Sequence, residues 1–254
     1  MTQIIFCLSL IVTISITAHA QPALTFQSAA EQTPLVELYT SEGCSSCPPA
    51  EIWLSHLKQS PGLWKDFVPV AFHVDYWDYL GWRDPWSARQ FSDRQRDYAG
   101  AWHNDSIYTP GLVLNGREWR DWSRGQNELK PSSAKTGVLS VRSTETNHWQ
   151  INFTPAHAGE NHFEIHAALL ASGVSSEVKA GENRGRTLVH DFAVLNFTSA
   201  ALQREGEIFQ GNFTLPGVSG AKGRLALAAW VTQAGNLEPL QATGGWMDAS
   251  GEAH

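Results

Sequence analysis

Cys44 and Cys47 stand between an apolar segment and a segment of helical periodicity, and this junction constrains the fold more than any other stretch. The preceding LVELYT, from Leu35, is short, apolar and bounded by Pro34, which predicts a buried strand over Leu35–Tyr39. Ser41–Gly43 reads as a turn. Pro48 opens a helix, since a first-turn residue needs no N–H donor. Ala50, Trp53, Leu54 and Leu57 recur at i, i+3, i+4 and i+7 and give that helix one apolar face. A strand therefore runs into a turn that carries two thiols to a helix N-terminus. Unpaired amides and the helix dipole there favour a thiolate over a thiol. Cys44, the more N-terminal and expected nearer solvent, is the predicted nucleophile. Cys47, drawn against the helix, is the predicted resolving cysteine, near enough to release a mixed disulfide.

Nothing else in the mature chain competes for these thiols. Ile4–Ile16 is apolar and Ala18-His19-Ala20 offers a small-residue cleavage site, so residues 1–20 read as a signal peptide of a periplasmic or secreted protein, with a retained N-terminal anchor as the alternative. Its start, Met1-Thr2-Gln3, lacks the usual basic residue. Cleavage removes Cys7 and leaves Cys44 and Cys47 as an even pair in an oxidising compartment. With 254 residues, 42% hydrophobic and 17% charged, the chain reads as globular, with room for one large domain or two small ones. A net charge of −7 argues against nucleic acid or anionic lipid as a partner. After cleavage, no stretch is long enough to cross a bilayer.

Residues 21–34 read as a mobile N-terminus, 35–131 as a first domain and 136–254 as a second. Phe67–Val74 is the next strand. Asp84 is expected to cap a helix with Pro85 at its first position, ending at Ala99 before Gly100. Thr109-Pro110 precedes a strand, Leu112–Leu114, and Asn115-Gly116 predicts a hairpin turn into a returning strand, Arg117–Trp122. The polar stretch Gly125–Gly137, with Pro131, is the expected boundary, and Gln126–Lys130 is all that remains for a closing helix. Beyond it, Val138–Arg142, His148–Phe153, His162–Leu170, Thr187–Phe197, Ile208–Leu215 and Arg224–Val231 read as strands. Their spacing predicts an antiparallel, sandwich-like region.

Strand, C-x-x-C, helix, strand, helix, Thr-Pro and hairpin is the element order of a thioredoxin fold. The expected class is therefore an α/β thioredoxin-like fold followed by a β-rich C-terminal region. In that order the Thr109–Pro110 bond is cis and faces the cysteines, leaving the Thr109 backbone open to pair with a substrate peptide. Glu37, on the strand leading to Cys44, is the candidate for the buried acid that moves protons during exchange, provided its side chain points inward. VELYTSEGCSSCPPAE, AFHVDYWDYLGWRDPW and IYTPGLVLNG, with GENRGRTLVH further on, resemble an exported bacterial family catalogued as domain of unknown function 1223. The resemblance covers most of Leu35–Gly116 and one stretch of the β-rich half. It implies a thioredoxin-like fold and no settled activity.

Cys44, Cys47, Thr109, Pro110 and Glu37 are thus the candidate catalytic residues of an exported thiol–disulfide oxidoreductase. Its partners would be protein or small-molecule thiols and disulfides. No cofactor and no metal are expected; His73 and Asp75, followed by Asp78, are the weak candidates for metal ligands. Two alternatives stand beside this reading. One is a non-catalytic binding module with a structural disulfide, and the other a copper-handling protein using Cys44, Cys47 and His73. Trp77, Trp82, Trp86, Trp102, Trp119 and Trp122 fall near the same edge, either as a partner groove or as core. Gly181–Arg186 reads as a turn and not an anion cradle, because no helix follows it.

Overall fold

The computed structural model of the chain describes residues 23–124, 129–130, 132–157, 159, 162–218 and 223–248. The export segment over 1–20, and Gly125–Glu128 with Pro131 at the expected boundary, lie outside them. Strand β1 (Thr25–Gln27) leads into β2 (Leu35–Thr40), α1 (Pro48–His56), β3 (Val68–His73), α2 (Arg89–Ala101), β4 (Gly111–Leu114) and β5 (Arg117–Glu118). Ten strands follow: β6 (Gly137–Glu145), β7 (His148–Pro155), β8 (Phe163–Ser172), β9 (Val174–Glu177), β10 (Thr187–His190), β11 (Ala193–Ala201), β12 (Gln203–Glu205), β13 (Ile208–Thr214), β14 (Arg224–Gln233) and β15 (Pro239–Trp246).

The expected fold class, an α/β thioredoxin-like fold with a β-rich region after it, is overturned. The described residues are 45% strand and 13% helix, with two α-helices among them. Strands from both halves form one eight-stranded sheet in the order β15-β14-β8-β11-β3-β2-β4-β5. The physical reason lies in β8 and β14, which read FEIHAALLAS and RLALAAWVTQ. They are apolar at successive positions and so need cover on both faces. Ile165, Ala167, Leu169, Leu227, Ala229 and Val231 share one core with Leu139, Ile151 and Phe153 of a five-stranded sheet, β1-β6-β7-β13-β12. Ala168, Leu170, Ala226, Ala228 and Trp230 face the other core, with Leu38, Val70, Phe72, Leu54 and Phe91. The two halves of the sheet join where β11 meets β3, at the parallel pair Ala193 and Ala71. Trp230 thereby comes to 6.5 Å from Phe72.

A buried ion pair sits in that second core. Arg94 on α2 donates from Nε (2.8 Å) and Nη2 (3.1 Å) to Glu37 on β2. Tyr98 (2.5 Å) and Tyr39 (3.0 Å) donate to the same carboxylate. Burial, and then the Glu37 charge, hold both tyrosine hydroxyls well above their ordinary pKa, so they remain donors. The guanidinium lies 5.2 Å from the Trp230 ring and 5.7 Å from that of Phe197, both from the second half.

Several local expectations also change. Residues 23–34 carry defined contacts: β1 pairs with β6, and buried Gln241 accepts the Thr33 N–H (2.8 Å) while donating to the Ala29 and Gly137 carbonyls. The helix expected from Pro85 begins at Arg89, because Asp84 is buried and spends its carboxylate on Glu42, His73 and Trp86. The returning strand of the hairpin stops at Glu118. Its turn is as expected, with Asn115 (φ 48°) and Gly116 (φ 77°) both left-handed. Thr187–Phe197 breaks into β10 and β11 at Asp191-Phe192, where Asp191 pairs with Lys58 at 2.7 Å.

Candidate functional site

The turn after β2 brings Cys44 back on itself, its amide donating to the Ser41 carbonyl at 3.1 Å. Cys47 is the N-cap of α1, with proline in the first turn. A Cβ at Gly43 would lie 2.8 Å from Cβ of Trp77, so this glycine admits Trp77 against the turn. Trp77 in turn donates from Nε1 to Thr109 Oγ1 (2.8 Å), which leaves the hydroxyl hydrogen of Thr109 free to donate onward. The Thr109–Pro110 bond is cis. Cys44 Sγ lies 3.7 Å from the Thr109 carbonyl oxygen and 3.2 Å from Ser46 Oγ.

The two sulfurs are 2.6 Å apart, beyond the bond length of about 2.0 Å in a disulfide, and both cysteines are free. Their environments push them in opposite directions. The hydrogen bond from Cys47 lowers the Cys44 pKa most; burial opposes it, Ser46 and Thr109 assist, and the outcome is about 6. Burial, then the partnership with Cys44, drives the Cys47 thiol far upward. The surroundings thus favour a thiolate at Cys44 and a thiol at Cys47 that donates to it. Both thiols are buried, Cys44 at 1% exposed and Cys47 at 0%, and Ser45 and Ser46 form the outer surface of the motif.

A turn from the second half closes over this motif. Buried Asn183 donates from Nδ2 to the carbonyls of Glu42 (2.9 Å) and Cys44 (2.8 Å), and Arg186 fixes its orientation by donating to Oδ1 (2.7 Å). Glu182 accepts from the amide (2.9 Å) and hydroxyl (2.8 Å) of Ser45. Asn183→Ala strands two carbonyls of the cysteine turn and is expected to cost about 1–3 kcal/mol. Urea denaturation of the reduced protein checks this; a loss no larger than that of an exposed-surface substitution would refute the clamp.

Behind the cysteines lies a buried polar cluster. Thr40 and His73 are register neighbours on β2 and β3. His73 Nδ1 meets Asp84 Oδ2 at 2.8 Å. His190, at the end of β10, sits between two carboxylates: Nδ1 is 2.6 Å from Glu51 Oε2, and Nε2 is 2.8 Å from Glu42 Oε1. Thr40 donates to Glu51 Oε1 (2.5 Å), while Trp82 (2.6 Å) and Ser176 donate to Glu42. Burial works against charge on His190, but the two glutamates outweigh it and push its pKa up to about 10. The His73 and His190 rings meet edge to face at 4.8 Å.

A family model described as a protein of unknown function, DUF1223, matches residues 35–232. The chain belongs to the DUF1223 family. Among solved structures, protein AGR_C_4864 from Agrobacterium tumefaciens is similar at 25% identity and a TM-score of 0.63, over 88% of this chain and 98% of that one. HBP35 of Porphyromonas gingivalis is similar at 11% identity and a TM-score of 0.55, over 89% of this chain and 80% of that one. No curated protein matches.

Within this DUF1223 chain the predicted residues divide into two groups. Cys44, Cys47, Thr109 and Pro110 come together at one edge. Glu37 does not join them: its hydrogen bonds go to Arg94, Tyr39 and Tyr98, on the side where α2 packs. Asp75 is taken by Ser92, which donates to it at 2.5 Å, and Asp78 by Ser87 and the Asp84 amide, so neither reaches His73. Trp119 packs against Trp53 at 5.4 Å, whereas Trp77 and Trp82 bond to the site itself. Sequence reasoning missed Glu42, Glu51, Asp84, Asn183 and His190 as site residues. The quoted segments SEGCSSCPPAE and GENRGRTLVH contain all of these but Asp84, yet nothing local places 180–190 over 42–51.

Proposed function

We propose that this DUF1223 protein is an exported thiol–disulfide oxidoreductase that exchanges electrons with protein or small-molecule thiols and disulfides. One observation carries the reading: two free sulfurs 2.6 Å apart, one held toward thiolate and the other toward thiol. In the reductive direction Cys44 S⁻ attacks one sulfur of a substrate disulfide. A mixed disulfide forms, and the other substrate sulfur leaves as a thiolate. Cys47 then gives up its proton to the departed substrate thiolate and attacks Cys44 Sγ, releasing the second substrate thiolate and leaving a Cys44–Cys47 disulfide. Two electrons pass to the substrate, and the reverse sequence oxidises a dithiol. A groove of about 400 Å³ beside Pro110, lined by Tyr108, Leu112, Trp119, Arg120 and Trp122, offers mixed polar and apolar surface to that substrate.

Cys47→Ser should accumulate mixed disulfides through Cys44, separable on non-reducing gels and lost on reduction, whereas Cys44→Ser should accumulate few. Equal trapping by both variants, or none, would remove the assignment of roles. Export through residues 1–20 belongs to the same proposal, on the strength of the apolar run and the Ala-His-Ala site. An exported protein beginning at Gln21 is the expected product, and an intact Met1 would count against it.

A further inference from the structure

His73 and His190 are wired alike. Each gives one ring nitrogen to a buried carboxylate: His73 Nδ1 to Asp84 (2.8 Å), and His190 Nε2 to Glu42 (2.8 Å). The remaining ring nitrogens face Glu51: His190 Nδ1 is bonded to its Oε2 at 2.6 Å, His73 Nε2 is not, and the ligand atoms of Glu51, His73 and His190 lie within 4.8 Å of one another. His73 Nε2 is fully buried and has no hydrogen-bond partner. Such a nitrogen is rare in a protein interior and demands an explanation. Glu51 is fixed from behind as well, by Thr40 at its other oxygen. A carboxylate on one ring nitrogen, orienting the other, is the arrangement that supports a metal-bound histidine. Glu42, Glu51 and Asp84 are all buried, and among the described residues no Lys or Arg pairs with any of them.

We propose that Glu51, His73 and His190 form a binding site for a divalent transition-metal ion of the zinc class. Two imidazoles and one carboxylate make a recognised zinc ligand set, with a fourth position left for water. The ion takes the place of the proton now shared by His190 Nδ1 and Glu51 Oε2, and that proton leaves to solvent. Those two atoms must open from 2.6 Å, because two ligands at about 2.0–2.1 Å from one tetrahedral ion stand about 3.3 Å apart. The site uses neither cysteine. It ties α1, which carries Glu51 one turn beyond Cys47, to β3 and to β10.

Untagged full-length protein, stripped with a chelator and titrated with zinc chloride, should bind one equivalent by calorimetry and melt at a higher temperature. Cys44→Ser/Cys47→Ser should keep that equivalent. His73→Ala and His190→Ala should weaken it by at least about a hundredfold, and Asp84→Asn by about 10–100-fold. Should the histidine variants fail to fold, cobalt(II) added to the unsubstituted protein gives an independent answer. The expected spectrum has weak visible bands without the intense near-ultraviolet thiolate band. Each of the following would overturn the site: no zinc bound by folded protein, an equivalent lost with the cysteines, an equivalent kept in folded His73→Ala, or a thiolate band with cobalt.

Discussion

Arg94→Met is expected to remove about 3–5 kcal/mol of stability, the usual cost of leaving one member of a buried ion pair uncompensated. For a chain of this size that is a fall in Tm of about 6–20 °C. The pair is enclosed: Glu37 is 0% exposed and Arg94 6%. Methionine fills much of the volume of arginine, so the loss should come from the Glu37 carboxylate, left with the two tyrosine donors and no counter-charge. Removing the carboxylate as well, in Glu37→Leu/Arg94→Met, should recover part of that stability. Thermal unfolding of the two variants beside the unsubstituted protein checks both statements; a loss under about 1 kcal/mol in Arg94→Met would show the pair to be dispensable. Well below its Tm, Arg94→Met should also leave the reactivity of Cys44 unchanged, as befits a pair that joins the two halves of the chain within one core and takes no part in thiol exchange.

That pair also shows where the sequence was legible and where it was not. Leu35–Thr40, Pro48–His56, the Asn115-Gly116 turn and most second-half strands follow from local periodicity and turn chemistry. Glu37 could not be assigned, because strand alternation gives two faces and the choice depends on which face receives Arg94, 57 residues away. The merged sheet did leave a trace in the sequence. Apolar residues at successive positions in 163–172 and 224–233 describe strands covered on both sides, which a sandwich facing solvent does not supply. Asp84-Pro85 carries the signature of a helix start, and Asp84 Oδ1 does accept the Trp86 N–H while Oδ2 serves His73 and Glu42, but only a turn follows and the helix begins at Arg89. The contacts that close the site, Asn183 with Cys44 and His190 with Glu51, span 139 residues each and have no local sign.

The second large effect concerns Cys44. At pH 6 it should hold on the order of a hundredfold more thiolate than a free cysteine, whose pKa is about 8.5. The leading cause is the neighbouring thiol, so Cys47→Ala should move the titration upward, toward the free value, and Ser46→Ala should move it less. The sign for stability follows from the same shift. Because the folded pKa lies below the unfolded one, ionisation of Cys44 stabilises the reduced protein above about 8.5, and this contribution fades as pH falls through 6. Cys47 has the opposite sign: its raised pKa makes the fold lose stability as pH climbs past about 8.5. The rate of iodoacetamide modification of Cys44, followed by mass spectrometry from pH 4 to 10 on the reduced protein, tests the account most directly. The prediction is a midpoint near 6 for Cys44, rising in Cys47→Ala, with Cys47 itself unmodified throughout. A midpoint at or above about 8.5, unmoved in Cys47→Ala, would contradict it.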